Sequence, residues 1–573
     1  MILKEQQLYD RWLQYQLEDK DLTDELNEIT GREEEIVDRF YRDLEFGTGG
    51  LRGVIGAGTN RMNIYTIRRA TQGLADYLNE DYKTACVAIS YDSRIKSDRF
   101  AREAACVLAA NGIKAYLYKE LMPTPALSFA VRELGCQAGI MVTASHNPAK
   151  YNGYKAYGAD GCQMTLEIAE RVLTLINRLD IFEDVKTMDF EEAIQKGLIA
   201  YIPDEVTEKF IQHVLGEAIN PGICEKAGLK VVYTPLNGTG NKPVRETLRR
   251  MGIRDVTVVP EQEYPDGNFP TCPFPNPEIR EALQKGLELC DKVQPDLLLA
   301  TDPDCDRVGI AVNQNGEYIL MSGNEVGALL LQYIASCRIQ NGTMPKNPIA
   351  VKTIVTSNII EAIAKDYGVQ VINVLTGFKF IGEQIALLEE KGEQNRYIFG
   401  FEESYGYLSG TYVRDKDAVN GAALICEMAA YYKSQGKTLV DVLNEIYAKY
   451  GNYLHVQGNF TCEGVTGMQR MNDIMESLRK NPPAVIGGLE VLRFADYETS
   501  VMKDLKSGET SEIKLPKSNV LQFDLQDEAG VIIRPSGTEP KIKVYYTTKC
   551  DTKEAAAKLQ EQLAVDMTKL MGF

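Results

Sequence analysis

The chain has 573 residues, of which 44% are hydrophobic and 25% charged, and its net charge is −18. That length exceeds what one hydrophobic core fills, so about three to five domains are expected. The acidity argues against nucleic acid or an anionic membrane surface as the main partner, while leaving room for a small phosphorylated ligand in a local basic pocket. No run approaches the ~20 apolar residues that span a bilayer. The opening MILKEQQLYDRW has no basic stretch followed by an apolar core, so a cytoplasmic location is expected. Twelve cysteines are scattered without a C-x-x-C pair, which reads as reduced thiols rather than a disulfide framework. The three histidines are His146, His213 and His455, too few for a multi-histidine metal site, so a divalent ion would take oxygen ligands.

In chain order, residues 1–45 read as two polar amphipathic helices. A plan of strand, polar loop and helix then recurs three times. The first unit opens at Val87-Ala88-Ile89-Ser90, with the loop Tyr91-Asp92-Ser93-Arg94, and ends at Ala138-Gly139-Ile140-Met141-Val142 and a serine loop. The second runs from Val231-Val232-Tyr233 to Leu297-Leu298-Leu299-Ala300 and an aspartate loop. The third runs from Ile349-Ala350-Val351-Lys352 to Tyr397-Ile398-Phe399 and a glutamate-serine loop. This predicts three similar α/β domains with mainly parallel sheets, over 1–204, 205–319 and 320–452. Residues 453–573, with a helix from about Gly467 and strands near Gly530 and Ile542, predict a smaller α+β domain. If the three units are equivalent, their loops hold equivalent positions and could face one cleft.

Chemistry concentrates in those loops. Asp302, Asp304 and Asp306 alternate, and on an extended backbone alternate side chains point the same way. Three like carboxylates repel unless a cation joins them, and oxygen-only ligation suits Mg²⁺. An EF-hand is excluded, since Arg307 and Asn313 stand where Gly and Glu are needed. The serine loop reads Thr143-Ala144-Ser145-His146-Asn147-Pro148 and lacks the G-x-S-x-G elbow of a hydrolase. On an extended backbone His146 would face away from Ser145 and serve poorly as its direct base, which leaves it as a catalytic candidate for an orienting hydrogen bond or another proton transfer. Ser145 as a metal-assisted phosphoryl carrier fits better. Lys155 is a candidate proton acceptor, if nearby cations lower its pKa. Arg534-Pro535-Ser536-Gly537-Thr538-Glu539-Pro540-Lys541 offers a guanidinium fork, hydroxyls and an open backbone, a cradle for phosphate. Gly47-Thr48-Gly49-Gly50-Leu51-Arg52-Gly53 and Thr376-Gly377-Phe378-Lys379 are less specific, the second a candidate sugar or phosphate contact.

Four of these loops, Thr-Ala-Ser-His-Asn-Pro, Asp-Pro-Asp-Cys-Asp-Arg, Phe-Glu-Glu-Ser and Arg-Pro-Ser-Gly-Thr-Glu-Pro, occur in the order found in the α-D-phosphohexomutases. From about residue 40 onward the chain resembles that phosphoglucomutase and phosphomannomutase superfamily. The resemblance implies four domains around a central cleft. It implies Ser145 as phosphoserine, and Asp302, Asp304, Asp306 and the serine itself as Mg²⁺ ligands. Glu402 and Ser404 would contact sugar hydroxyls, and Arg534, Ser536, Gly537 and Thr538 the phosphate that does not react. Lys155 would be a general base, and Arg52 and Arg307 would lie near the transferring phosphate. The implied reaction moves a phosphoryl group to a sugar phosphate and returns the other through a sugar 1,6-bisphosphate. Tyr405-Gly406-Tyr407 stands where many bacterial members carry a histidine, excluding a histidine base in that loop. The Phe-Glu-Glu-Ser-Tyr-Gly form resembles a subgroup of glucose phosphomutases and phosphopentomutases. The expected substrate is glucose phosphate, with pentose phosphate, mannose phosphate or bisphosphate synthesis as alternatives, acting as a monomer or homodimer. A non-catalytic sugar-phosphate sensor would not need the intact transfer chemistry.

Overall fold

The structure, a computed structural model, describes residues 2–47, 49–462, 467–536 and 541–573. Among these residues no helix is long and apolar enough to cross a membrane. The chain divides into two compact units. One comprises residues 1–321, 381–399 and 404–436, the other residues 322–380, 400–403 and 437–573.

The first unit begins with three helices, Ile2–Gln14, Lys20–Glu28 and Glu33–Phe40, where the sequence predicts two. The difference is a local stop. The second helix is capped by Asp19, and the chain then turns at Gly31, whose φ of 78° a side chain would resist. Trp12 and Phe40 are buried edge to face, and Trp12 meets Tyr65 in the same way. Tyr65 belongs to the helix Ile64–Asp81, opened by a reciprocal cap between Asn63 and Thr66.

Two sheets follow. The first has β1 (Gly50–Val54), β2 (Cys86–Tyr91), β3 (Lys114–Leu117), β4 (Ala138–Val142), β5 (Tyr151–Gly158) and β6 (Ile199–Tyr201), in the order β1-β5-β4-β2-β3-β6. The second has β7 (Lys230–Thr234), β8 (Asp255–Val258), β9 (Leu297–Thr301), β10 (Val308–Gln314) and β11 (Glu317–Met321), in the order β11-β10-β9-β7-β8. Strands joined through helices are parallel: β2 to β3 and β4, β3 to β6, and β7 to β8 and β9. Strands joined by a short loop return antiparallel, β4 to β5 and β9 to β10. The serine loop joins the first such pair and the aspartate loop the second. Strands β4 and β9 are buried at every residue, which explains their unbroken apolar runs.

Antiparallel return places β5 between β4 and β1, with Gly153 opposite Arg52. A Cβ on Gly153 would lie 2.4 Å from the carbonyl oxygen of Thr143, so only glycine lets β5 pass this close to the serine loop.

In the second unit β12 (Ile349–Thr353) and β13 (Gln370–Val374) pair in parallel, and β12 is also neighbour to β14 (Tyr397–Glu402). The C-terminal part is an antiparallel sheet in which Lys541–Cys550 is flanked by Asn452–Thr461 and Gly530–Pro535. Helices Gly467–Lys480 and Lys553–Leu570 cover it through Met471, Leu478, Leu563 and Met567.

Candidate functional site

Ser145 follows the carboxyl end of β4, 4% exposed, with φ at 51°. A non-glycine residue in that region is strained by roughly 1–3 kcal/mol and persists only where its surroundings hold it. Here they do. The Ser145 N–H donates to Thr143 Oγ1 at 2.8 Å, and that hydroxyl donates to Asp92 Oδ2 at 2.6 Å. Asp92, buried at the end of β2, also accepts from Ser97 Oγ and the Arg94 N–H. The Arg94 guanidinium donates to the carbonyls of Ser145, Asn147, Pro148 and Tyr151, clasping the loop.

The left-handed turn overturns the expectation for His146. The backbone is not extended, so the two side chains face each other, with Ser145 Oγ 3.2 Å from His146 Nδ1. Burial, then the cations Arg307 and Arg52, hold the His146 pKa well below its ordinary value, so the ring is neutral.

Ser145 Oγ also donates to Asp302 Oδ2 at 2.9 Å. The aspartate loop is a turn rather than an extended run, with Cys305 at φ 52°. The three carboxylates still converge. Asp302, Asp304 and Asp306 are buried, with ligand oxygens within 4.8 Å of one another. Asp302 Oδ1 accepts from the backbone N–H groups of Asp306 and Arg307, and Asp304 Oδ2 from Thr124 Oγ1 at 3.0 Å. Asp304 Oδ1 and Asp306 Oδ1 are buried without a hydrogen-bond partner. Buried oxygens left over in an all-carboxylate cluster fit a hard divalent cation. Burial, then Asp304 and Asp306, push the Asp302 carboxyl well above the usual range.

Two lysines meet the triad. Lys155 Nζ, on β5, lies 2.8 Å from Asp304 Oδ2 and 3.7 Å from Asp306 Oδ2. Burial alone would lower its pKa, but Asp304 and Asp306 outweigh that and raise it, so with the carboxylates uncompensated Lys155 is an ammonium. The lowering expected from neighbouring cations is opposed here by its nearest partners, which are anions. Lys416 Nζ lies 3.2 Å from Asp306 Oδ2 and 3.1 Å from Asp415 Oδ1, and Tyr157 donates to Asp415 Oδ2. Arg307 pairs with Glu278, and Arg52, exposed on β1, reaches Asn147 Oδ1 at 3.4 Å.

The first unit thus brings together Ser145, His146, Lys155, Arg52, Arg307 and the three aspartates. Ser404 belongs to the same unit, half-buried just beyond β14. In the second unit Glu402, at the end of β14, accepts from the Gly377 N–H at 2.8 Å, joining the Thr376-Gly377-Phe378-Lys379 loop to the glutamate loop. Lys379 Nζ stands over the Phe380 ring. Arg534 is the penultimate residue of the strand Gly530–Pro535, and the Ser536 N–H donates to the Lys541 carbonyl at 2.7 Å. Gly537 and Thr538 lie outside the described residues.

Sequence reading did not single out Asp92, Arg94, Thr124, Asp415 or Lys416. The only available signals were an acid and a base two residues apart after a buried strand, and the alternating charges of Arg414-Asp415-Lys416-Asp417.

The chain matches the family models for phosphoglucomutase/phosphomannomutase alpha/beta/alpha domain I over residues 43–181, domain II over 208–316, domain III over 322–450, and the C-terminal domain over 500–565. It is 41% identical over 517 residues to a phosphoglucomutase of Staphylococcus aureus strain RF122, covering 90% of this chain and 91% of that one. Against the phosphoglucomutase of strain MRSA252 the identity is 40% over 529 residues, covering 91% and 93%. Among solved structures, the open form of the Paramecium phosphoglucomutase pp63/parafusin aligns with a TM-score of 0.68 at 17% identity, over 92% of this chain and 95% of that one. A phosphoglucomutase/phosphomannomutase family protein of Burkholderia thailandensis aligns with a TM-score of 0.66 at 17% identity, over 92% and 97%. At that identity the structural likeness speaks for the fold.

Proposed function

The chain belongs to the phosphoglucomutase/phosphomannomutase family, and on that premise we propose that it interconverts glucose 1-phosphate and glucose 6-phosphate. The observation that carries the chemistry is the Ser145 hydroxyl, buried 2.9 Å from Asp302 within a triad that has carboxylate oxygens to spare. Identity near 41% with phosphoglucomutases along most of the chain supports glucose as the sugar. The proposed domains run 1–204, 205–319, 320–452 and 453–573, in the cytoplasm.

In this reading Ser145 carries the phosphoryl group. It passes the group to the free hydroxyl of the sugar phosphate, giving a sugar 1,6-bisphosphate. The bisphosphate reorients and returns its other phosphate to Ser145. Asp302, Asp304 and Asp306 would hold Mg²⁺ with Ser145 as a further ligand, and the ion would offset charge on the transferring group. Arg52 and Arg307 neutralise phosphoryl oxygens. His146 orients Ser145 Oγ through its neutral ring. Lys155 exchanges a proton with the reacting sugar hydroxyl. Its carboxylate partners are the proposed ion ligands, so its protonation is linked to ion binding. Thr376, Gly377, Lys379, Glu402 and Ser404 contact the sugar, and Arg534, Ser536, Gly537 and Thr538 hold the phosphate that does not react.

Steady-state kcat/KM for glucose 1-phosphate, mannose 1-phosphate and ribose 1-phosphate, with Mg²⁺ and a catalytic bisphosphate, tests the sugar. Glucose 1-phosphate is expected to lead, and a pentose preference overturns the choice. Ser145→Ala is expected to abolish both turnover and the phosphorylated peptide, and full activity in that variant removes the carrier role.

A further inference from the structure

Cys86 opens β2, and Cys136 lies two residues before β4. These strands are parallel neighbours, with Val87 opposite Ala138. Their backbones are tied at this end: the Cys86 N–H donates to Gln137 Oε1 at 2.9 Å, and the Gln137 N–H to the Cys86 carbonyl at 3.0 Å. The two sulfurs are 3.6 Å apart. Cys86 is half-buried and Cys136 is 1% exposed, so Cys86 is the more accessible of the two. The pair sits at the ends of β2 and β4 opposite Asp92 and Ser145, outside the machinery described above.

We propose that Cys86 and Cys136 form a reversible oxidation site, in which hydrogen peroxide oxidises Cys86 and Cys136 closes a disulfide across the amino ends of β2 and β4. The Cys86 thiolate attacks one peroxide oxygen, forming an S–O bond as the O–O bond breaks. The departing hydroxide takes up a proton and leaves as water. The Cys136 sulfur then displaces the sulfenic oxygen. An S–S bond forms, the S–O bond breaks, and the oxygen leaves as a second water. Two thiols lose two electrons to one peroxide, and a dithiol reductant reverses the step. Closure needs the sulfurs to approach to about 2.05 Å, a shift of roughly 1.5 Å that side-chain rotation can supply between strands already held in register. Reactivity falls on the accessible sulfur. The Cys86 thiol is drawn down to about 7, chiefly by its hydrogen bond with Cys136, against burial, with Gln137 and Lys114 adding to the effect.

The test uses the full chain, reduced, freed of reductant and treated with hydrogen peroxide. The expected product has lost two hydrogens in intact mass. Its non-reducing digest contains one peptide joining Cys86 to Cys136, which dithiothreitol resolves. In Cys136→Ser the cross-link is absent and dimedone traps a sulfenic acid at Cys86. In Cys86→Ser both are absent while mutase turnover under reducing conditions persists, showing a folded protein. The wild-type digest decides the matter even if a variant fails to fold. Oxygen accumulating on Cys86 without a link, a link between other cysteines, or an unreacted Cys86 overturns the proposal.

Discussion

Arg94 shows how a residue that binds only the backbone of the serine loop can set the geometry of the reacting atoms. Its guanidinium spans four carbonyls of the serine loop, and Asp92 fixes Thr143, which in turn holds the Ser145 N–H. Ser145 is thereby kept in a left-handed conformation that an unsupported serine would leave. Lysine keeps the charge but cannot fork to several carbonyls. Arg94→Lys is therefore expected to lower kcat by about 10²-fold, the cost of a loop displaced by roughly 1 Å, with KM changed far less. Steady-state kinetics checks this, and an unchanged kcat would show that the clasp does not position the serine.

At the scale of elements, two helices depend on single residues. Helix Gly323–Gln340 lies against β14 at Gly327, where a Cβ would meet the Phe401 ring at 2.1 Å. An aromatic ring buried beneath a helix has little room to withdraw, so Gly327→Ala is expected to destabilise the protein by roughly 1–3 kcal/mol in denaturant unfolding. Wild-type stability in that variant would mean the ring moves freely. Helix Ala418–Lys433 is capped by Asp417, which accepts from the N–H groups of Val419 and Asn420 and from Tyr412 Oη. Burial pushes the Asp417 carboxyl up to about 6, against the hydrogen bonds from Asn420, Tyr412 and Val419 that favour its charge. The folded state therefore holds this proton at pH values where the unfolded chain has released it. The associated stability is fully present below about pH 4 and is lost as pH rises through about 6. Asparagine does not ionise, so from pH 4 to 6.5 the stability of Asp417→Asn should rise relative to wild type by about 2 kcal/mol. Parallel denaturation curves at each pH test this, and a pH-independent difference would place the proton elsewhere.

For the molecule as a whole, the buried aspartate triad links ion binding, protonation and stability. Burial and its two acidic neighbours favour a proton on Asp302, and an ion at the triad competes with that proton. Mg²⁺ should therefore bind more tightly as pH rises and release protons on binding, both measurable by titration calorimetry in buffers of different ionisation enthalpy. A ligand that binds only the folded chain also raises its melting temperature. Mg²⁺ should raise Tm in wild type, and Asp304→Asn should lose most of that increase. An equal increase in the variant would place the ion elsewhere.

The sequence by itself determined the class of the protein. Its three strand-loop-helix units and four ordered loops were legible because buried strands need unbroken apolar runs, and because carboxylate clusters and hydroxyl-rich turns are short-range patterns. It also marked Ser145 and the three aspartates. Tertiary structure decided how these residues meet. His146 faces Ser145 because the backbone turns left-handed at the serine, a conformation that Asp92 and Arg94 enforce from the loop after β2. Lys155 meets Asp304 because β5 returns antiparallel to β4 beside the aspartate turn, a contact across about 150 residues that no local pattern encodes. Lys416 likewise reaches Asp306 from a distant part of the sequence. Periodicity and composition act over neighbouring residues, whereas the charge balance of a buried site is set by whichever distant groups the fold brings within a few ångströms, and only there is the dielectric low enough for them to decide protonation.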